Sequence, residues 1–229
     1  MFARIVAEAP EFFSYYNVVF LLEAMLVTFA LSAVGCVIGF AAGFFLAVSR
    51  RTTSVLLLPL RTVTVAFIEL FRRIPFLVTL MLVFFVFLAL GLDISMFSVA
   101  LISVCLIATA FIAEIIRAGL ESVHHTQWDT AAAMNMDLIQ TLRYVIMPQA
   151  WKIILPPVFS FFILFIKDTA LASQIGVVEL TYAGKVLNNK GFSAALVFGS
   201  ILILYFIISY PLARFGARLE QKLAEARNS

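Results

Sequence analysis

Thr126-Gln-Trp-Asp-Thr-Ala-Ala-Ala-Met-Asn-Met-Asp-Leu-Ile-Gln-Thr-Leu-Arg-Tyr-Val-Ile-Met-Pro148 is a polar island between long apolar runs. It carries two helix-start signals. Thr126 with Asp129 three residues on, and Asp137 with Gln140, each have the spacing of a capping box. Between them Met134-Asn135-Met136 offers a stop, because Asn tolerates the left-handed conformation that ends a helix. Beyond Asp137, residues Leu138, Ile139, Leu142, Val145 and Ile146 fall on one stripe of a helix. The stretch therefore reads as a short helix, a turn and a second amphipathic helix, outside the bilayer between two spans. An ordinary surface helix pair has the same pattern.

The flanking sequence supplies the bilayer. Of 229 residues, 63% are hydrophobic and only 13% charged, and the mean hydropathy is +1.07. A soluble domain is nearer half apolar. The fold class is all-α, a polytopic membrane protein with five transmembrane helices. The first span is about Val18 to Val48, longer than the roughly 20 residues a crossing needs. Gly35, Gly39 and Gly43 recur in it every four residues, a flat stripe on which another helix can pack closely. Arg50-Arg51 stops it. The second apolar block, about Val55 to Leu90, is interrupted by Pro59 and Pro75. The third span is about Met96 to Leu120. The fourth starts near Trp151-Lys152 and runs into Lys167-Asp168-Thr169. Residues 175 to 192 are polar and amphipathic, and the fifth span is about Phe192 to Phe215. Residues 1 to 17 suit an amphipathic helix at the outer interface, and the start reads as uncleaved. Cys36 and Cys105 fall inside apolar runs and read as small buried hydrophobes, with no disulfide framework and no metal site.

The net charge is +3, and its distribution reports orientation rather than nucleic-acid binding. Arg50, Arg51, Arg61, Arg117, Arg143, Lys152, Arg214, Arg218, Lys222 and Arg227 fall on one side of a five-span chain. Arg4, Lys167, Lys185 and Lys190 fall on the other. The positive-inside rule then puts the N-terminus outside, and the C-terminus and residues 126–148 in the cytoplasm. The chain contains no Gly-x-x-x-x-Gly-Lys-Ser/Thr phosphate loop. It is not read as an enzyme: powered transport would need a partner to hydrolyse ATP.

Three clusters break the apolar pattern. Glu69 and Arg72 are three apart, share a helix face and can pair. Pro75 behind them disturbs the backbone, as in the broken helices that line solute pathways. The alternative is a segment that emerges at an interface with its arginines snorkelling. Asp168 is an acceptor suited to an ammonium group and Arg72 a fork suited to a carboxylate; the alternative for Asp168 is pairing with Lys167 or Lys185. Glu114 and Arg117, three apart at the end of the third span, read as a structural ion pair. His124 and His125 read as loop residues whose rings point apart.

These segments resemble, in order, the permease subunits of ABC importers for polar amino acids. Asp129-Thr130-Ala131 stands where that family has Glu-Ala-Ala, Asn135 stands at its Gly, and Ile146-Met147-Pro148 at its Ile-x-Pro end. Glu69-Leu70-Phe71-Arg72-x-x-Pro75 resembles its Glu-Leu-Phe-Arg-Gly-Thr-Pro, with Arg73 and Ile74 departing. Lys167-Asp168-Thr169-x-Leu171-Ala172 resembles its Lys-Asp-Thr-Ser-Leu-Ala, and Ala113 to Gly119 its Ala-Glu-x-x-Arg-x-Gly.

The resemblance implies one transmembrane domain over 1–229, with a cytoplasmic coupling loop at about 122–148. It implies a multi-pass protein of the bacterial inner membrane that forms the translocation pathway by alternating access. It further implies solute binding by Arg72, Asp168, Glu69 and Thr169, and ATPase coupling through Asp129, Thr130, Ala131, Asn135 and Pro148. The chain itself would bind no cofactor, with ATP and Mg on the partner ATPase. Expected partners are ABC ATPase subunits, a second permease subunit (identical or homologous), an external substrate-binding protein, the lipid bilayer and a polar amino acid. No nucleic acid is expected. A passive channel, a membrane scaffold, or an ABC permease for a different small solute would share the spans.

Overall fold

The computed structural model describes residues 2–50 and 58–228. Arg51, and Val55 where the second apolar block begins, lie outside the described residues. Among the described residues the regular structure is helical: α1 (Phe2–Phe12), α2 (Tyr15–Ser49), α3 (Leu58–Arg73), α4 (Phe76–Ala89), α5 (Met96–Glu121), α6 (His125–Ala133) and α7 (Leu138–Gln140). A π-helical segment, Thr141–Ile146, leads into α8 (Met147–Asp168). A 3-10 segment, Thr169–Ile175, then precedes α9 (Leu180–Asn189) and α10 (Ala194–Asn228).

Among the described residues four stretches are long and apolar enough to cross a bilayer: Tyr15–Ser49, Met96–Glu121, Leu138–Ile175 and Ala194–Leu223. The pair α3 and α4, broken at Ile74-Pro75, counts as a fifth. Proline has no N–H to continue the ladder and pushes the residue before it out of helical conformation.

Backbone contacts divide the chain into two compact units. The first contains Met1–Val37, Ile74–Cys105 and Phe162–Leu212. One of its cores joins Phe12, Leu21 and Ala24 to Leu180, Ala183, Leu187, Val197 and Ile201. A second gathers Leu31, Leu80, Ala100, Ala172 and Val177. Two carboxylates organise its polar contacts. Glu8 accepts from Arg4 Nε at 2.6 Å and from the Ser193 amide at 2.7 Å, tying α1 to the start of α10. Glu179, fully buried, caps α9: its carboxylate accepts from the amides of Thr181 (2.9 Å) and Tyr182 (2.7 Å). The Tyr205 hydroxyl donates to it at 3.0 Å. The Leu180 amide donates to the buried Thr28 hydroxyl at 3.0 Å. Cys36 and Cys105 are free thiols, and Cys36 is buried.

The second unit contains Ile38–Arg73, Leu106–Phe161 and Ala213–Ser229. Here the glycine stripe finds its partner. A Cβ on Gly43 would sit 2.9 Å from the Ala113 amide nitrogen, so α2 and α5 approach at backbone distance there. The Phe40 ring meets Trp151 edge to face at 5.9 Å.

The polar island at 126–148 departs from its sequence reading in three ways. The N-cap of α6 is His124, whose Nδ1 accepts from the Thr126 amide at 3.4 Å, so Thr126 lies inside the helix and forms no box with Asp129. The His124 and His125 rings, expected to point apart, lie 4.3 Å apart at a tilt of 34°. Residues after Asp137 do not form a separate surface helix, because α7 continues into α8 as the root of the fourth span. Pro148 has no N–H for the Tyr144 carbonyl, and the chain widens instead of stopping: the Met147 amide bonds Leu142 O, five residues back. Gln149 Nε2 donates to the Val145 carbonyl at 2.8 Å. The second signal forms as a capping box: the Gln140 amide donates to Asp137 Oδ1 at 2.8 Å, and the Asp137 amide to Gln140 Oε1 at 3.0 Å.

Candidate functional site

In the second unit the charged side chains converge on Glu114, a partly buried residue of α5. Arg117, one turn on, holds both its oxygens: Nη2 to Oε1 at 2.6 Å and Nε to Oε2 at 3.0 Å. Arg50, just past the end of α2, donates Nη1 to Oε2 at 3.2 Å. Arg72, in the last turn of α3, brings Nη1 to 3.6 Å from Oε1, an ion pair without hydrogen-bond geometry. Its guanidinium carbon lies 5.9 Å from the centroid of the Phe111 ring, and that ring is stacked on Phe161. Arg117 also bonds Glu121, at the end of α5.

The expected pairing of Glu69 with Arg72 does not form. Glu69 is taken by Arg73 one turn on, at 2.6 and 3.0 Å, in an exposed pair. On a helix both i+3 and i+4 partners are within reach, and here Arg72 is engaged by Glu114 instead.

In the first unit Asp168 ends α8 and leads into the 3-10 segment, with no side-chain capping bond. Its carboxylate makes no hydrogen bond or ion pair among the described residues, and neither lysine expected as a rival partner takes it. Lys185 donates to Ser173 Oγ at 3.0 Å. Thr169 is fully buried, and its hydroxyl donates to the Ile166 carbonyl at 2.8 Å. It thus supports the backbone beside Asp168 rather than facing open space.

The loop residues are placed by the turn. Asn135 adopts φ of 55°, the left-handed conformation its sequence position suggested. Asp129, Thr130, Asn135 and Pro148 are exposed, while Ala131 is buried against its own unit. Of the expected apolar stripe, Leu142 and Ile146 are buried, but Ile139 is 75% exposed. Met134 and Tyr144 are exposed with it, so the polar island presents three large apolar side chains outward. The Thr130 hydroxyl is turned back onto the Thr126 carbonyl at 2.7 Å.

Residues 35–224 match the family of binding-protein-dependent transport system inner membrane components. The chain belongs to this family. The permease is 29% identical over 211 residues to a probable glutamine ABC transporter permease protein, GlnP, of Bacillus subtilis (strain 168), covering 91% of this chain and 95% of that one. It is 35% identical to the L-cystine transport system permease protein TcyB of the same organism, over 72% of this chain and 71% of that one. It is 34% identical to the glutamine transport system permease protein GlnP of Escherichia coli (strain K12), over 70% and 74%. Among solved structures, that of an amino acid ABC transporter with histidines superposes with a TM-score of 0.82 at 27% identity, covering 90% of this chain and 95% of that one.

The permease is therefore a multi-pass subunit of the bacterial inner membrane in an ABC importer. It is a transport component, and its family works with an ATPase and a substrate-binding protein. Its sequence marked Arg72, Asp168 and the Glu114–Arg117 pair but assigned no role to Phe111 or Glu179 and read Arg50 as a stop and an orientation charge, not as a partner of Glu114. Arg50 lies 64 residues from Glu114, and the close α2–α5 packing at the glycine stripe brings their helices together. Glu179 had a local signal: an acid directly before Leu180-Thr181-Tyr182, where it can cap the next helix.

Proposed function

We propose that the permease is the membrane-spanning subunit of an ATP-driven importer of polar amino acids, with Arg72 receiving the carboxylate of the solute and Asp168 its ammonium group. The observation that carries this reading is a pair of incompletely answered charges in membrane spans. Asp168 has no bond to its carboxylate among the described residues, and Arg72 has one ion-pair contact at 3.6 Å. Ionisable groups are costly in a bilayer and mark solute pathways. One acid and one guanidinium match the two charges of a free amino acid. The glutamine and cystine permeases among the relatives support the same class. Thr169 fixes the backbone that presents Asp168. Glu69, held by Arg73, sets the charge at the end of α3.

The loop at 122–148 docks on the ATPase. Asp129, Thr130, Asn135 and Pro148 lie on its surface, Ala131 anchors it, and Met134, Ile139 and Tyr144 give a partner cleft apolar area to bury. The loop and the C-terminus are cytoplasmic and the N-terminus is outside. ATP and Mg stay on the ATPase. Two permease subunits, identical or homologous, work as a pair over one transmembrane domain each, residues 1–229 here. An external binding protein delivers the solute, and alternating access carries it inward.

The test is ATPase activity and uptake of the purified complex in lipid, with binding proteins loaded from an amino-acid panel. One polar amino acid should stimulate hydrolysis. Asp129→Ala should lose the stimulation, and Arg72→Ala should lose uptake by about tenfold or more, the scale of an unanswered carboxylate. The reading is overturned if no loaded receptor stimulates, or if Arg72→Ala and Asp168→Ala leave amino-acid uptake unaffected.

A further inference from the structure

Arg50, Arg72 and Arg117 come from three different helix ends, but their grips on Glu114 are unequal. Arg117 is bidentate and Arg50 is hydrogen-bonded, and their side chains are 25% and 20% exposed. Arg72 is 34% exposed and sits beyond hydrogen-bonding distance. Glu114 is thus a fixed charge: if Arg72 leaves, three hydrogen bonds still hold the carboxylate in place. Arg72 is the movable member. A guanidinium has five N–H donors in a planar fork, and Glu114 engages Arg72 only at ion-pair range. The Phe111 ring lies beneath the guanidinium, leaving its edge for a second carboxylate.

We propose that Glu114 is a positioning residue that acts as a built-in rival for the solute's carboxylate on Arg72. This rests on the reading of Arg72 as the carboxylate receiver. When solute arrives, its carboxylate displaces the long Arg72–Glu114 contact and takes the open edge of the fork. When solute leaves, Arg72 returns to Glu114, so the membrane span never holds an unanswered guanidinium. The rival lowers the affinity for solute and speeds its release. Arg50 and Arg117 tune this exchange, because each shares the charge of Glu114 and weakens its pull on Arg72. Arg117 also reaches Glu121 at the end of α5, four residues before α6 begins. Movement of the docking loop can thereby reset how strongly Glu114 competes.

The experiment measures equilibrium binding to the assembled permease–ATPase complex in nanodiscs. The probes are tritiated L-glutamine, L-glutamate and L-histidine, each beside its α-carboxamide. Glu114→Gln should tighten binding of the free acid about fivefold, the scale of one partly exposed ion pair. It should leave the carboxamide unchanged and slow uptake turnover. Arg50→Gln should act in the opposite direction and weaken binding, because it frees Glu114 to hold Arg72. A purely structural cluster would move both variants the same way, and that result overturns the exchange. So does a Glu114→Gln effect of equal size on the carboxamide. If Glu114→Gln does not assemble, Arg50→Gln decides by its selectivity: weaker binding of the free acid with the carboxamide unchanged supports the exchange, and equal weakening of both overturns it. Arg72→Ala separates the two claims. Lost binding of the acid with no effect of Glu114→Gln sinks the exchange and leaves the receiver reading standing. Unchanged binding in Arg72→Ala, or no binding of any of the three acids to wild type, sinks the receiver reading first.

Discussion

Glu114 and Glu179 are both carboxylates drawn into apolar surroundings, and the chain answers them with opposite chemistry. Glu114, one-fifth exposed, is met by three guanidinium groups. Glu179, fully buried, is met by two backbone amides and a phenol, with no cation among its partners in the described residues. Amides at the start of a helix are fixed by the backbone, so the Glu179 arrangement has one geometry. Arginines on long side chains can be exchanged one at a time, so the Glu114 arrangement has several. A carboxylate capped by amides holds a fold, whereas one shared among arginines can also switch partners.

The largest break in this comparison is Glu179→Ala. It leaves the Thr181 and Tyr182 amides and the Tyr205 hydroxyl without their acceptor in a closed interior. The expected loss is about 3 kcal/mol of stability, read as a lower unfolding midpoint of the purified protein in lipid. Glu179→Gln keeps one acceptor oxygen and should lose less than half as much. If alanine and glutamine cost the same, the amide cap is not what Glu179 provides.

Next in size is the split between Arg117 and Arg50. Arg117→Gln removes a bidentate bond and the link to Glu121, and should cost about 1–2 kcal/mol. Arg50→Gln removes one bond at 3.2 Å and should cost about 0.5–1 kcal/mol. Both are read as midpoint shifts in the same assay. Equal costs would mean that Glu114 distributes its hold evenly, against the geometry.

The same contrast explains what the sequence could disclose. The left-handed Asn135 and the Asp137–Gln140 box depend on residues within one or two turns of each other and were legible, as were the spans, except that the fourth begins at Leu138 rather than near Trp151. The box expected at Thr126 and Asp129 failed locally, because His124 accepts the Thr126 amide and starts the helix earlier. The pairing of Glu69 failed for a distant reason. Spacing allowed both Arg72 and Arg73, and the choice was made by Glu114, more than forty positions along the chain. At Pro148 the helix continues, because a π-helical turn just before it accommodates the missing N–H. Arg50 joined the cluster through the glycine-lined approach of α2 to α5; the every-fourth-residue glycines marked a close approach, but no local pattern named α5 as the partner.

The finest test uses pH, and it opposes Glu179 to Glu8, the other organising carboxylate of the first unit. Burial pushes the Glu179 carboxyl above the ordinary range, against the pull of the Thr181 and Tyr182 amides and the Tyr205 hydroxyl. The Arg4 side chain, followed by the Ser193 amide, holds Glu8 below that range. An unfolded glutamate titrates near about 4.3. Above that value the native state keeps its proton on Glu179 longer than the unfolded chain does. Its contribution is therefore full below the unfolded value and is lost as pH rises through the folded one. For Glu8 the native state releases its proton first, so its contribution is present above the unfolded value and is lost as pH falls through the lower folded one. Stability measured from pH 3 to 7 should fall less steeply toward neutral pH in Glu179→Gln than in wild type. It should fall less steeply toward acid in Glu8→Gln. If both substitutions flatten the same side of the profile, the two carboxylates do not differ as their partners imply. Opposite flattening would show that a fully buried acid capped by amides still bears a burial cost, while one held at the surface by Arg4 does not.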